Sequence, residues 1–244
     1  MSKKRPDGRS GAGTLRPLAC DLSCLHRADG SALWKSGSTH VLAAVYGPIA
    51  PQLMVKEREE SIISVVIKSG DPTSVILEEE WGSFLTQILS ACIDTASYPR
   101  TVVEIVLQII QADGSLVSCL LHAAVAALMD AGVDLISLPV ATTCLVGKSD
   151  HGGAKNKKSS SILLDPITSE EQEEGSSVVV LVNESHNPDK ILGSHTVGTT
   201  LSIDQLLTCL QVASKASPAV IAFWRLAIEQ KVARESETLW QSKS

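Results

Sequence analysis

Aromatic residues are scarce: two Tyr, two Phe and four Trp make up 3% of the 244 residues. A core must therefore be filled by Val, Ile, Leu and Ala, each contributing roughly 1.5–3 kcal/mol when fully buried. A basic excess is missing as well. The formal net charge is −6, and a protein that grips nucleic acid alone usually carries a strongly basic face. Any nucleic-acid contact must then be local or shared with partner subunits. Zinc-type cysteine pairing is absent: Cys20 and Cys24 lie four apart with no second pair nearby, and the six histidines are scattered. The cysteines mostly fall in apolar runs, where free thiols behave as small hydrophobes. No apolar stretch follows the polar, basic Met1–Arg9 segment, so no export signal is expected. The longest apolar run, 116–129, is shorter than the ~20 residues a membrane helix needs, which points to a buried helix instead. P-loop, dinucleotide and nucleophile-elbow motifs are all missing. Reduced thiols without an export signal suggest the nucleus or cytoplasm.

What is present is a succession of short apolar segments, with 44% apolar and 20% charged residues, as in an ordinary folded chain. Residues 1–16, with Pro6, Gly8, Gly11 and Gly13, read as an extended arm. Strands are predicted at 31–34, 40–46 and 61–68, and spacings of three and four from Trp81 to Ile93 predict an amphipathic helix over 78–96. A β-branched strand at 101–111 turns through Asp113-Gly114-Ser115 into the all-apolar helix, which stops near Gly132. The second half repeats the plan with strands at 138–146, 161–164, 178–182 and 190–197. A long helix follows from about 203 to 233, kinked or split at Pro218. This order indicates an α+β architecture. It reads as one domain over 17–235, in two pseudo-repeated halves (17–135 and 136–235), with a tail at 236–244.

Three local signatures fall in a telling order: Arg5-Pro6-Asp7-Gly8-Arg9 with Arg16-Pro17-Leu18, then Gly37-Ser38-Thr39 running through to Val45-Tyr46-Gly47-Pro48, then Gln111-Ala112-Asp113-Gly114-Ser115. Together they resemble the RNase PH family, over most of residues 5–230, and within it the RNase PH-like ring subunits of the eukaryotic RNA exosome. The resemblance implies duplicated βαβα-type units with mixed sheets and central helices. It also implies a place in a six-subunit ring that channels RNA to a nuclease, with other RNase PH-like subunits and RNA as partners. Nuclear (including nucleolar) and cytoplasmic residence follows from the same resemblance. An isolated chain is expected to form a homodimer, with no membrane contact.

Active members of the family place an arginine in the turn after the Asp-Gly strand end, where a helix N-terminus supplies amides to phosphate. The matching stretch here is Ser115-Leu116-Val117-Ser118, with Val117 in the arginine's place. A helix dipole offers only about half a charge, so Ser115, Val117 and Ser118 are the remnant of a phosphate site. For the family's catalytic acids the resemblance implies the stretch 165–176, where Glu170 or Glu171 falls near one acidic position and Ser176 near the other. A solvated acidic loop is the plainer reading of this run; a residual acid or metal-binding role for Glu170 or Glu171 is the alternative. Glu78-Glu79-Glu80 stand where active relatives carry basic residues at a helix start, and would repel RNA phosphates.

Arg100, Arg58 and Lys68 are candidates for tracking RNA phosphates, with a solvated cation as the simpler reading. Lys148, Lys155, Lys157 and Lys158 are expected in a flexible loop. His122 is expected to be a hydrogen-bonded core residue. The preferred expectation is a non-catalytic subunit that needs no cofactor. The rival is an active nuclease, phosphorolytic or hydrolytic, acting as a homo-oligomer; only its hydrolytic form would use a divalent metal with Glu170 or Glu171.

Overall fold

The structure, a computed structural model, describes residues 5–50, 60–70, 75–147 and 162–241. Arg58 and the lysine-bearing stretch 148–161 lie outside the described residues. In chain order the elements are β1 (Leu18–Leu22), β2 (Gly30–Ser36), β3 (Thr39–Ile49), β4 (Ile62–Lys68), α1 (Val75–Cys92), β5 (Val102–Gln111), α2 (Leu116–Ala131), β6 (Pro139–Val146), β7 (Ile162–Leu164), α3 (Thr168–Glu171), β8 (Ser177–Glu184), β9 (Ile191–Gly198) and α4 (Ile203–Gln241). They form a five-stranded sheet in the order β1-β2-β3-β5-β4 and a four-stranded sheet in the order β7-β6-β8-β9.

The first sheet is mixed, because β4 runs parallel to β5 and α1 makes the crossover between them. The second is antiparallel throughout its described strands, so mixed pairing belongs to the first half alone. Helix α2 packs against β2 and β3 of one sheet and β6 of the other. Burial on all sides explains why it is apolar all round, since residues 117–128 are all buried. The second sheet is covered on both faces. Val180 and Val182 of β8 join the α2 cluster, whereas Val179 and Leu181 join a smaller cluster with Cys209, Ala213 and Ala216 of α4. That two-sided burial is why β6 and β8 read as continuous apolar runs. Gly30 is demanded by packing: a Cβ there would lie 2.3 Å from the Ala131 nitrogen of α2.

Several expectations need correction. Strand β1 was not predicted, and α1 begins at Val75, so only Glu78 lies in its acidic first turn. Helix α4 runs unbroken through Pro218 and on to Gln241, so residues 236–241 are helix rather than a separate tail. Ala213, Ala216, Ser217, Val220 and Trp224 are all buried on one face across the proline, and this packing holds the helix together where a hydrogen bond is lost. All six cysteines are free thiols. His122 is indeed a core residue: its Nε2 accepts the Ala141 amide at 3.2 Å, and burial pushes its pKa down to about 4.

Candidate functional site

The arm is not free. Residues 5–16 cross from the first half to the second, and their arginines are bound to the turn that joins β7 to α3. Arg5 donates through Nε to Glu170 Oε1 at 2.9 Å and through Nη2 to Oε2 at 2.6 Å. It also donates to the Leu164 and Asp165 carbonyls at 2.8 and 3.2 Å. Arg16 holds Asp165 from three sides, through its backbone amide at 2.8 Å, Nε at 3.0 Å and Nη2 at 2.7 Å. It reaches on to the Asp113 and Gly114 carbonyls just before α2. Arg9 adds a bond to the Asp165 carbonyl at 2.8 Å. Arg5, Arg16, Asp165 and Glu170 are all at most 6% exposed.

Glu170 is therefore neither a solvated loop residue nor an available acid. Burial opposes its charge, but the Arg5 hydrogen bonds, the Ile167 amide at 3.1 Å and the Arg5 charge outweigh burial and hold it below the ordinary carboxylate range. Asp165 is depressed in the same way by Arg16 against its own burial. A carboxylate with both oxygens in a buried guanidinium fork and one on a backbone amide is committed to the fold rather than to a metal or a proton transfer. The role assigned to Glu170 from sequence is corrected to a structural one. Ser176 likewise serves the fold, donating to the Glu173 and Glu171 carbonyls at 2.7 and 3.2 Å.

Glu171 points elsewhere. Its Oε1 accepts the Ser115 amide at 2.8 Å, which places a carboxylate on the head of α2, where a bound anion would sit. Burial pushes its pKa up; the Ser115 amide and Arg16 oppose that, while Asp165 and Asp113 add to it. Ser115 adopts a left-handed backbone (φ 48°) and gives its hydroxyl to the Pro166 carbonyl at 3.0 Å. The Ser118 hydroxyl shares a buried hydrogen bond with Thr143 Oγ1 at 2.6 Å. Val117 is buried in the core. Where the resemblance implied a phosphate-site remnant, the hydroxyls of Ser115 and Ser118 are occupied within the chain and the Ser115 amide is capped by Glu171.

Beside it lies a cavity of about 250 Å³, lined by Trp81 of α1, Leu116 and Val117 of α2, Val178 and Val180 of β8, and His195 and Val197 of β9, with Glu171 among them. His195 Nε2 lies 3.0 Å from Glu80 Oε1. Sequence reasoning missed His195 and Trp81. They converge from strands and helices more than a hundred residues apart, and no spacing reveals that.

A family model described as the 3′ exoribonuclease family, domain 1 (RNase_PH), matches residues 14–134. The crystal structure of rice (Oryza sativa) Rrp46 superposes with a TM-score of 0.79 at 32% identity, covering 91% of this chain and 98% of that one. The chain belongs to the RNase PH family. A curated relative, the exosome complex exonuclease RRP46 homolog of Arabidopsis thaliana, is 39% identical over 152 residues, 62% of this chain and 63% of its own length. The rice protein of the same description is 38% identical over 144 residues, 60% of its length. The matched region thus spans less than two thirds of these relatives. An Archaeoglobus fulgidus exosome structure with RNA bound to its active site shares the fold at TM-score 0.74 and 21% identity.

Within this RNase PH fold the remaining candidates do not converge. Lys68 ends β4 and lies on the groove between β4 and α1. Arg100, exposed and at φ 58°, precedes β5 at the opposite end of the parallel β4–β5 pair, roughly 20 Å away at ~3.3 Å per residue. Neither lines the cavity at the head of α2. Among the described residues no group of three or more His, Cys, Asp or Glu is placed to hold a metal ion.

Proposed function

We propose that this RNase PH-family chain is a non-catalytic structural and RNA-guiding subunit of an RNA exosome ring, supporting 3′-to-5′ processing and degradation of RNA. The observation that carries the reading is the Glu171 carboxylate on the Ser115 amide. Phosphorolysis needs inorganic phosphate held close to the scissile phosphate, both anionic, with cations and amides to stabilise them. Here the helix end already faces a carboxylate, and Val117 stands where the resemblance implies an arginine. The names of the Arabidopsis and rice relatives support the exosome assignment.

The proposed partners are other RNase PH-like exosome subunits and RNA, with a homodimer formed only by the isolated chain. The nucleus, including the nucleolus, and the cytoplasm are the proposed locations. No cofactor is called for. Exposed apolar side chains at Ile76, Leu77, Ile110 and Val197 support a chain that covers part of its surface in an assembly. The rival nuclease reading loses Glu170 to Arg5 and is left with Glu171 alone.

Native mass spectrometry of the tagged full chain purified from cells tests the assignment. The expected species is a multisubunit particle containing other RNase PH-fold chains. A strictly monomeric or solely homo-oligomeric species at cellular concentration would refute it.

A further inference from the structure

We infer that the cavity at the head of α2 is a docking socket for an arginine side chain presented by a peptide segment of a partner protein. The inference rests on the non-phosphorolytic reading of the same pocket and goes beyond it by naming what the pocket takes instead.

Three features of the cavity select this occupant. Its walls are largely apolar: Leu116, Val117, Val178, Val180 and Val197. Glu171 lines it with one oxygen on the Ser115 amide and the other without a partner among the described residues. Glu171 is half-buried and its second oxygen is reached by solvent, so a donor entering the cavity can pair with it whereas an anion would be repelled. Burial disfavours the charged form of Glu171, and a cation entering the cavity offsets that cost by direct attraction. Trp81 lines the cavity too, and Glu80, its side chain 57% exposed, adds negative charge beside the lining residue His195.

An arginine meets all three features. Its guanidinium is planar and weakly hydrated and donates to carboxylates in a fork, it is attracted to an indole face, and its three-carbon stem packs on aliphatic walls. Lysine fits less well, because its compact ammonium is more strongly hydrated. An RNA phosphate fits worst, since it would face Glu171 and Glu80 on a chain of net charge −6. The socket is thus complementary in charge and in apolar lining to a basic, apolar-flanked peptide.

The test uses the full chain, ¹⁵N-labelled, with a capped peptide of sequence Gly-Leu-Arg-Val-Gly as probe and the same peptide with citrulline for arginine as control. The expected result is saturable movement of the Trp81 indole and Ser115 amide signals. Affinity should fall by about tenfold with citrulline, as for a lost charge-assisted hydrogen bond. A similar fall is expected in Glu171→Gln but none in the exposed Glu173→Gln. Should Glu171→Gln not fold, Trp81→Leu takes its place, with a loss of about fivefold expected from the missing indole face. Equal binding of the arginine and citrulline peptides overturns the inference. So does absence of any shift at those two signals, or stronger movement of both by single-stranded oligouridylate. Phosphate-dependent degradation of that oligouridylate would instead overturn the functional reading, so the two failures are told apart.

Discussion

Replacing Glu170 by alanine should cost stability, not catalysis, and the size of the loss can be worked from its surroundings. The substitution removes two of the four hydrogen bonds that the Arg5 side chain donates, those of 2.9 and 2.6 Å. It leaves a guanidinium whose side chain is only 4% exposed with two carbonyls and no hydrogen-bonded carboxylate. Breaking a buried ion pair from one side costs about 3–5 kcal/mol, because the surviving charge stays desolvated. For a chain of this size each kcal/mol lowers Tm by roughly 2–4 °C, so a fall of about 6–20 °C is expected. Urea unfolding monitored by circular dichroism measures the loss. The double variant Arg5→Met with Glu170→Leu removes both charges and should recover most of it. By contrast, Glu173→Gln, at an exposed site, should stay within ~0.5 kcal/mol of the parent. A Glu170→Ala variant that loses less than about 1 kcal/mol would refute the clamp.

Acid should loosen the same clamp. Glu170 and Asp165 hold folded pKa values below the reference values of 4.5 and 3.8, so the unfolded chain takes up protons first. Their stabilisation is present above those reference values and lost as pH falls through the folded ones, which urea midpoints taken down to about pH 3 will follow. Glu171 has the opposite sign: its pKa is raised above 4.5, so its contribution declines as pH rises through the folded value. Glu171→Gln keeps an acceptor for Ser115 without the buried charge, and its stability relative to the parent should grow from pH 4.5 to neutrality; a difference constant across that range would contradict the assignment. Gly30→Ala should destabilise by more than about 2 kcal/mol, since overpacking here meets α2 backbone at 2.3 Å rather than a movable side chain. Thermal unfolding checks it, and an unchanged Tm would contradict the packing.

Much of the fold is written in local pattern. Helix α2 is apolar on every face because sheets lie on both sides of it, and β6 and β8 are continuous apolar runs for the same reason. Elements without such a pattern escaped. Strand β1 is five residues with Cys20 and Asp21 in it, too short and too polar to separate from a loop. Helix α3 is a single turn, and its two glutamates read as a solvated charge run. Whether such a carboxylate is solvated depends on its partner, and for Glu170 that partner is Arg5, 165 residues away. The arginines of the arm were legible as a family signature but not as a clamp, for the same reason. At the candidate site, Val117 in the place where the resemblance implies an arginine was readable from one position. The Glu171 carboxylate on Ser115 needed the chain to be folded, because the contact spans 56 residues. His195 and Trp81 come to line one cavity because β9 lies beside α1, where Phe84 meets His195.

The proposed function requires that the head of α2 does not support phosphorolysis. Losing a charged transition-state contact typically costs about 10²–10³ in rate, and here a carboxylate also caps the helix end. The direct measurement is incubation of the purified chain with labelled single-stranded RNA, with and without inorganic phosphate, and with magnesium or a chelator. The account predicts no nucleoside diphosphate above background in any of these conditions, for the parent and for Glu170→Ala alike. Phosphate-dependent release of nucleoside diphosphates by the parent chain would contradict it.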